Sequence, residues 1–205
     1  MNKIKNILKF DKKIMLFLNI ISIIGIISGS IFVIIINKND KRLMLESVIK
    51  LFTKIKNNDF NYILTLKNSI LNNYIVTFFI WIVGISVIGA LIVIFLLFYK
   101  CFILTFTISS IIYSYGIKGI FLSLIYIFPH MILNILIFMY IGSYSIKLSI
   151  ILIKSIIKKE NLNFKSFLNN YLKVLLISIL FLTISSFIES IVMPSLLKII
   201  IKFLI

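Results

Sequence analysis

Several stretches of this chain run for 15 to 27 residues almost without charge, and that feature limits the fold more than any other. A helix of roughly 20 apolar residues crosses the ~30 Å hydrocarbon core of a bilayer. The runs fall at about 14–36, 74–99, 102–116, 120–146 and 174–193. Hydrophobic residues make up 61% of the chain and charged ones 14%, with a mean hydropathy of +1.16. An ordinary soluble domain is about half apolar and about a quarter charged. The expected fold is therefore all-α, a polytopic helical membrane protein of about five transmembrane helices forming one integral membrane domain.

The run lengths carry further information. Residues 102–116 span only about 22 Å as a helix, whereas 120–146 would reach about 40 Å, more than the bilayer core. Something in the longer run must tilt, break or fold back. Pro129 lies within it, and a split there raises the count to six spans. Gly116, Lys118 and Gly119 predict a tight turn just before it. Gly25 and Gly29 make a GxxxG step in the first span, and Gly84 and Gly89 fall in the second. Such glycines either let a neighbouring helix approach closely or are simply tolerated in lipid.

Residues 37–73 form an amphipathic extramembrane segment. Leu45, Val48, Phe52 and Ile55 share one helical face, with Glu46, Lys50, Thr53 and Asn57 on the other. Asn57, Asn58 and Asp59 interrupt the pattern, and a second short helix would carry Phe60, Ile63, Leu66 and Ile70. The expected helical hairpin lies on the membrane surface or docks on a partner. The 147–173 connector is basic, with Lys158, Lys159 and Lys165 and an apolar stripe of Phe164, Phe167 and Tyr171. Beyond Pro194, Lys198 and Lys202 share one face, as in an interfacial tail.

The net charge of +16 does not point to nucleic acid. The 22 basic residues include a single arginine, Arg42, and the lysines gather between apolar runs, where cations meet lipid headgroups. A chain rich in Ile, Lys, Asn and Phe with one alanine, Ala90, also reflects AT-rich codons. Basic residues are nearly balanced between the two membrane faces. The lysine cluster ahead of the first span favours an N-inside orientation. That span lacks a small-residue cleavage site and reads as a retained anchor. Cys101, the lone cysteine, has no partner for an intramolecular disulfide and reads as a small buried hydrophobe.

Two ionisable residues stand deep in apolar sequence, His130 and Glu189, while Lys147 lies near a span end and can snorkel. Each costs roughly 2.5 to 3.5 kcal/mol at the bilayer centre and needs a partner. They do not add up to an active site. One His, one Cys and one intramembrane carboxylate cannot furnish a zinc centre. No serine among Ser109, Ser110, Ser123, Ser185 and Ser186 sits in an activating motif around His130. No catalytic residue, metal or cofactor is expected. A relay between neutral His130 and Glu189 is one reading. The other is that His130 bonds the Ile125 carbonyl that Pro129 leaves without its helical donor.

The stretches "FPHMILN" at 128–134, "SSFIESIVMP" at 185–194, "NNYIVTFFIWIVGISVIG" at 72–89 and "YSYGIKGIF" at 113–121, in this order, resemble the stage II sporulation protein M family of endospore-forming bacteria. The resemblance marks Pro129, His130, Asn134, Glu189 and Pro194 as motif positions. Family members commonly follow the proline-histidine pair with glycine and place a glutamate a turn later; this chain has Met131 and Asn134. Asn134 shares a helical face with His130 but carries no charge, which weakens any mechanism needing two intramembrane carboxylates. The resemblance implies a non-catalytic scaffold in the bacterial cytoplasmic membrane, at the sporulation septum or engulfing membrane. Its implied partners are two cell-wall hydrolases, a lytic transglycosylase and an amidase/endopeptidase, which remodel peptidoglycan during engulfment. The lipid bilayer and a second copy of the chain are further expected contacts. The competing expectation is a small transporter or channel component with a polar path through His130, Asn134 and Glu189.

Overall fold

A computed structural model describes the backbone of residues 11–57, 59–158 and 164–204 and the side chains of 11–57, 59–157 and 168–199. The described residues form helices joined by short turns, with no strand among them. In chain order these are α1 (Lys12–Ile35), α2 (Lys38–Lys56), α3 (Tyr62–Gly84), α4 (Gly89–Tyr115), α5 (Ile117–Tyr126), α6 (Phe128–Lys158), α7 (Phe164–Phe187), a π turn (Ile188–Val192) and α8 (Met193–Leu204). Four stretches are long and apolar enough to cross a membrane: α1, α4, most of α6, and Leu168–Ile199, which joins α7, the π turn and α8. The chain is a polytopic helical membrane protein.

The helix ends follow local chemistry. Asp11 caps α1 by accepting from the Lys13 N–H at 3.0 Å. Asn61 caps α3 by accepting from the Leu64 N–H at 3.0 Å. Both side chains occupy a backbone donor that has no intrahelical acceptor. At Gly116 the backbone turns with φ +59°, a conformation open to glycine. The chain then doubles back so closely that a side chain at Gly119 would stand 2.5 Å from the Ile111 carbonyl.

Facing residues give the topology. In α1, Gly25 lies against the Phe98 carbonyl and Cys101, and Gly29 against Phe102 and Phe106, so α1 and α4 run parallel in close contact. Cys101 is fully buried in this seam. The α3 helix packs on α4 and is joined to it by the short turn at Ile85–Ile88, so the two run antiparallel. The α6 helix is antiparallel to α4 as well, since Gly142 meets Val93 while Phe138 meets Lys100. Tyr171 beside Ser145 and Ser185 beside His130 make α7 antiparallel to α6. The bundle therefore alternates in direction along α1, α3, α4, α6 and α7.

Several boundaries differ from expectation. The expected span 74–99 is divided between two helices, because the chain turns at Ile85–Ile88 and not near Lys100. Residues 102–115 are the second half of α4, with Lys100 inside that helix and Gly116 just past its end. The second arm of the expected hairpin is continuous with a long helix, since α3 runs unbroken from Tyr62 to Gly84. The turn at Ile85–Ile88 persists because other helices satisfy its backbone, as lipid cannot. Ser149 Oγ lies 3.3 Å from the Gly84 carbonyl and 2.9 Å from that of Ser86. Ser145 Oγ reaches the Ile80 carbonyl at 3.2 Å, and Tyr171 donates to that of Trp81 at 3.0 Å. A side chain at Gly84 would collide with Tyr171 and Ser145, and one at Gly89 with Val83 and Ser149.

At the end of the bundle away from Lys12, α2, α5 and α8 form a second apolar layer. Phe52 and Ile55 are buried there with Ile111, Leu122, Ile127 and Leu197. The α2 stripe expected to meet the membrane or a partner is thus spent inside the protein, at roughly 1.5 to 3 kcal/mol for each large side chain removed from water. The tail after Pro194 is likewise docked through Leu197 and does not lie free at an interface. The expected connector residues Lys158, Lys159, Lys165, Phe164 and Phe167, together with Asn58 and Lys202, lie outside the described side chains.

The α1–α4 seam is directly testable. Gly29→Leu should destabilise the detergent-solubilised protein by about 1 to 3 kcal/mol, read as a lowered unfolding midpoint. An unchanged midpoint would show that the two helices are not in contact there.

Candidate functional site

A cavity of about 320 Å³ lies among α3, α4, α6 and the π turn and collects several polar side chains. From α3 it receives Ser69, Asn72 and Asn73, whose spacing of three to four residues places them on neighbouring faces of one helix. From α4 come Tyr99 and Lys100, from α6 Asn134 and Phe138, and from the π turn Glu189. Asn73, Asn134 and Phe138 are buried, whereas Asn72 and Tyr99 are exposed. The cavity therefore opens sideways between α3 and α4. Lys100 stands level with Gly25, near the middle of α1, so the opening lies at membrane depth.

Hydrogen bonds knit α3 to the last span. The Ser69 hydroxyl donates to Glu189 Oε2 at 2.5 Å. Asn73 Nδ2 donates to Ser186 Oγ at 3.0 Å, and Thr77 Oγ1 to the Asn73 carbonyl at 2.7 Å. Lys100 lies within electrostatic range of Glu189, and its Nζ stands 5.3 Å from the centre of the Phe138 ring, a cation–π contact. The cavity thus brings together one basic and one acidic side chain from different helices. Asn134 is 6% exposed, and its Oδ1 has no hydrogen-bond partner.

Proline sets the position of Glu189. Pro194 has no N–H to offer the Ser190 carbonyl and would clash with it in a regular helix. The chain widens into the π turn one step earlier, where Met193 N–H bonds to the Ile188 carbonyl. Such single-turn widenings are frequent at functional sites.

Pro129 occupies the first turn of α6, where a missing N–H costs little. The long apolar run is interrupted at Ile127, just before it, yet bonds from Ile127 to Ser123 and from Met131 to Ile127 keep α5 and α6 nearly continuous. His130 is 3% exposed, packs edge-on to Tyr126 with ring centres 6.3 Å apart, and its Nδ1 lacks a hydrogen-bond partner. The ring turns to the backbone carbonyl of Tyr126, one residue on from the expected Ile125. A second bond in this region runs from the Ser185 hydroxyl to the His130 carbonyl at 3.0 Å. That bond also shows Ser185 turned to backbone and not to the imidazole.

Of the residues singled out from sequence, Asn134 and Glu189 reach the cavity. His130 and Pro194 are not among its lining residues, and Pro129 lies at the α6 entry, while Gly25 and Gly29 line the α1–α4 seam and Gly84 and Gly89 bracket the α3–α4 turn. Asn72 and Asn73 fall in the quoted stretch 72–89 but carry no site role there, and Ser69 and Lys100 were not singled out. The signal for Ser69, Asn72 and Asn73 was a polar stripe at helical spacing, placed within the expected extramembrane segment 37–73. Lys100 falls in the gap between the expected spans 74–99 and 102–116 and so marks a boundary in the sequence, with apolar flanks on both sides.

Compared with known proteins, residues 15–194 match the family model described as "Stage II sporulation protein M". No curated protein and no solved structure matches the chain.

Ser69 is the cleanest probe of the geometry. Ser69→Ala removes a donor to a carboxylate and should cost about 1.5 to 3 kcal/mol in unfolding free energy, whereas Ser69→Thr, which keeps the hydroxyl, should cost less. Equal stability of Ser69→Ala and the parent would place Glu189 elsewhere.

Proposed function

Because this chain belongs to the stage II sporulation protein M family, we propose that it is a non-catalytic membrane scaffold acting in spore formation. In this reading it gathers two cell-wall hydrolases, a lytic transglycosylase and an amidase/endopeptidase, at the septum or engulfing membrane, so that peptidoglycan is thinned where the membrane advances. A sporulation-related, multi-pass membrane protein is the part that family membership and the apolar helices support on their own. The hydrolase partners are the further step.

One observation carries that step. The α2 helix is anchored by its apolar face to α4 and α8, with Phe52 against Tyr115, and so holds Lys50, Lys54 and Lys56 outward as a fixed basic surface. A helix pinned in this way presents its charges without the ordering cost of a free segment. The surface suits acidic patches on a partner. With the Lys12 end inside the cell, α2 faces the wall, where such hydrolases work. The docking face proposed is thus the basic one, since the apolar stripe is already buried.

A transporter or channel component is the second reading, favoured by the meeting of Asn134 and Glu189 in one cavity. His130, the third group of that path, is not among the cavity's lining residues.

The two readings separate experimentally. Reversing Lys50, Lys54 and Lys56 to Glu should lower the recovery of both hydrolases when the tagged protein is purified from sporulating cells, with its own abundance unchanged; undiminished recovery would sink the scaffold surface. His130→Ala should reduce the amount of folded protein and leave proton flux per folded molecule in vesicles unaltered. A variant that accumulates normally but loses a measured flux would favour transport.

A further inference from the structure

We propose that the cavity between α3 and α4 binds the zwitterionic ammonium–phosphate head of a phospholipid drawn in from the surrounding bilayer. The shape of the opening argues for a lipid. Its mouth, at Asn72 and Tyr99, faces sideways at the level of Gly25, where a ligand dissolved in water has no approach. A polar strip leads to it along the exposed face of α3, formed by Lys67, Asn68 and Asn72. Acyl chains gain nothing from three such residues, whereas a headgroup sliding along α3 with its tails in lipid would meet each in turn.

The lining selects the head. Lys100 on α4 and the Asn72 amide offer donors to a phosphate. Glu189 and the unpartnered Asn134 Oδ1 offer acceptors to an ammonium. A purely anionic head would bring its charge towards Glu189 with no ammonium to answer it, and a purely cationic one would meet Lys100. The pairing of opposite charges on one ligand satisfies both walls and gives the orphaned Asn134 oxygen its donor. The volume of about 320 Å³ accommodates a head of this size.

The experiment is native mass spectrometry of the full chain in detergent with defined lipids. Phosphatidylethanolamine should be retained roughly tenfold better than phosphatidylglycerol. Water-soluble glycerophosphoethanolamine should not displace it. Glu189→Gln should abolish that preference, and Lys100→Gln should lower retention of both lipids. Asn72→Leu, at the exposed mouth where the fold does not depend on it, should lower phosphatidylethanolamine retention several-fold even if the buried variants fail to accumulate. Equal retention of the two lipids by the parent chain, displacement by the soluble head, or unchanged retention in Asn72→Leu would each overturn the proposal.

Discussion

The polar face of α3 is the constraint to which the other helices answer. Ser69, Asn73 and Thr77 recur every four residues and are all buried, and an amide or hydroxyl left without a partner in hydrocarbon costs several kcal/mol. A helix bearing that stripe can lie among apolar helices only with the stripe turned inward and matched. The last span supplies Glu189 and Ser186 for this purpose. The same rule governs the other end of α3, where the carbonyls around the Ile85–Ile88 turn are served by Ser145, Ser149 and Tyr171, and Trp81 stacks on Tyr171 with its Nε1 bonded to the Tyr171 carbonyl at 3.3 Å.

The two prolines shape the end of the bundle that carries α2. Neither sits in mid-helix with a carbonyl clashing against it. Pro129 opens α6 directly after the interruption at Ile127, and Pro194 follows a π turn that widens the backbone ahead of it. These adjustments bring α5 and α8 over α4 and give Phe52 and Ile55 of α2 a surface on which to be buried. The exposed lysines of α2 are displayed because its apolar face is occupied. The π turn also points Glu189 at Ser69, so that one proline contributes both to the outer layer and to the cavity.

Much of this was legible in the sequence. The long apolar runs gave the helical membrane class, the Gly116–Gly119 turn lies where its glycines predict, and the excess length of 120–146 is relieved close to Pro129. What was not legible is polarity that is satisfied only in three dimensions. Ser69, Asn72 and Asn73 read as extramembrane because hydropathy averages over a helix and does not know which face is turned to Glu189. Lys100 read as a boundary because a lysine between apolar runs normally marks one. The true boundary, Ile85–Ile88, carries no charge at all, and its stability comes from serines sixty residues later in the chain. The amphipathic period of α2 was correct, but periodicity identifies an apolar face without naming what covers it.

Side-specific labelling tests most directly whether α3, which is not one of the four stretches apolar enough to span by itself, is carried across the membrane by the helices that match its polar face. Cys101 is fully buried, so cysteines introduced one at a time report with little background. In oriented vesicles, Lys12→Cys and Ser86→Cys should react with a membrane-impermeant maleimide from one side, and Lys56→Cys from the other. Labelling of Ser86→Cys and Lys56→Cys from the same side would place α3 outside the bilayer and contradict the account.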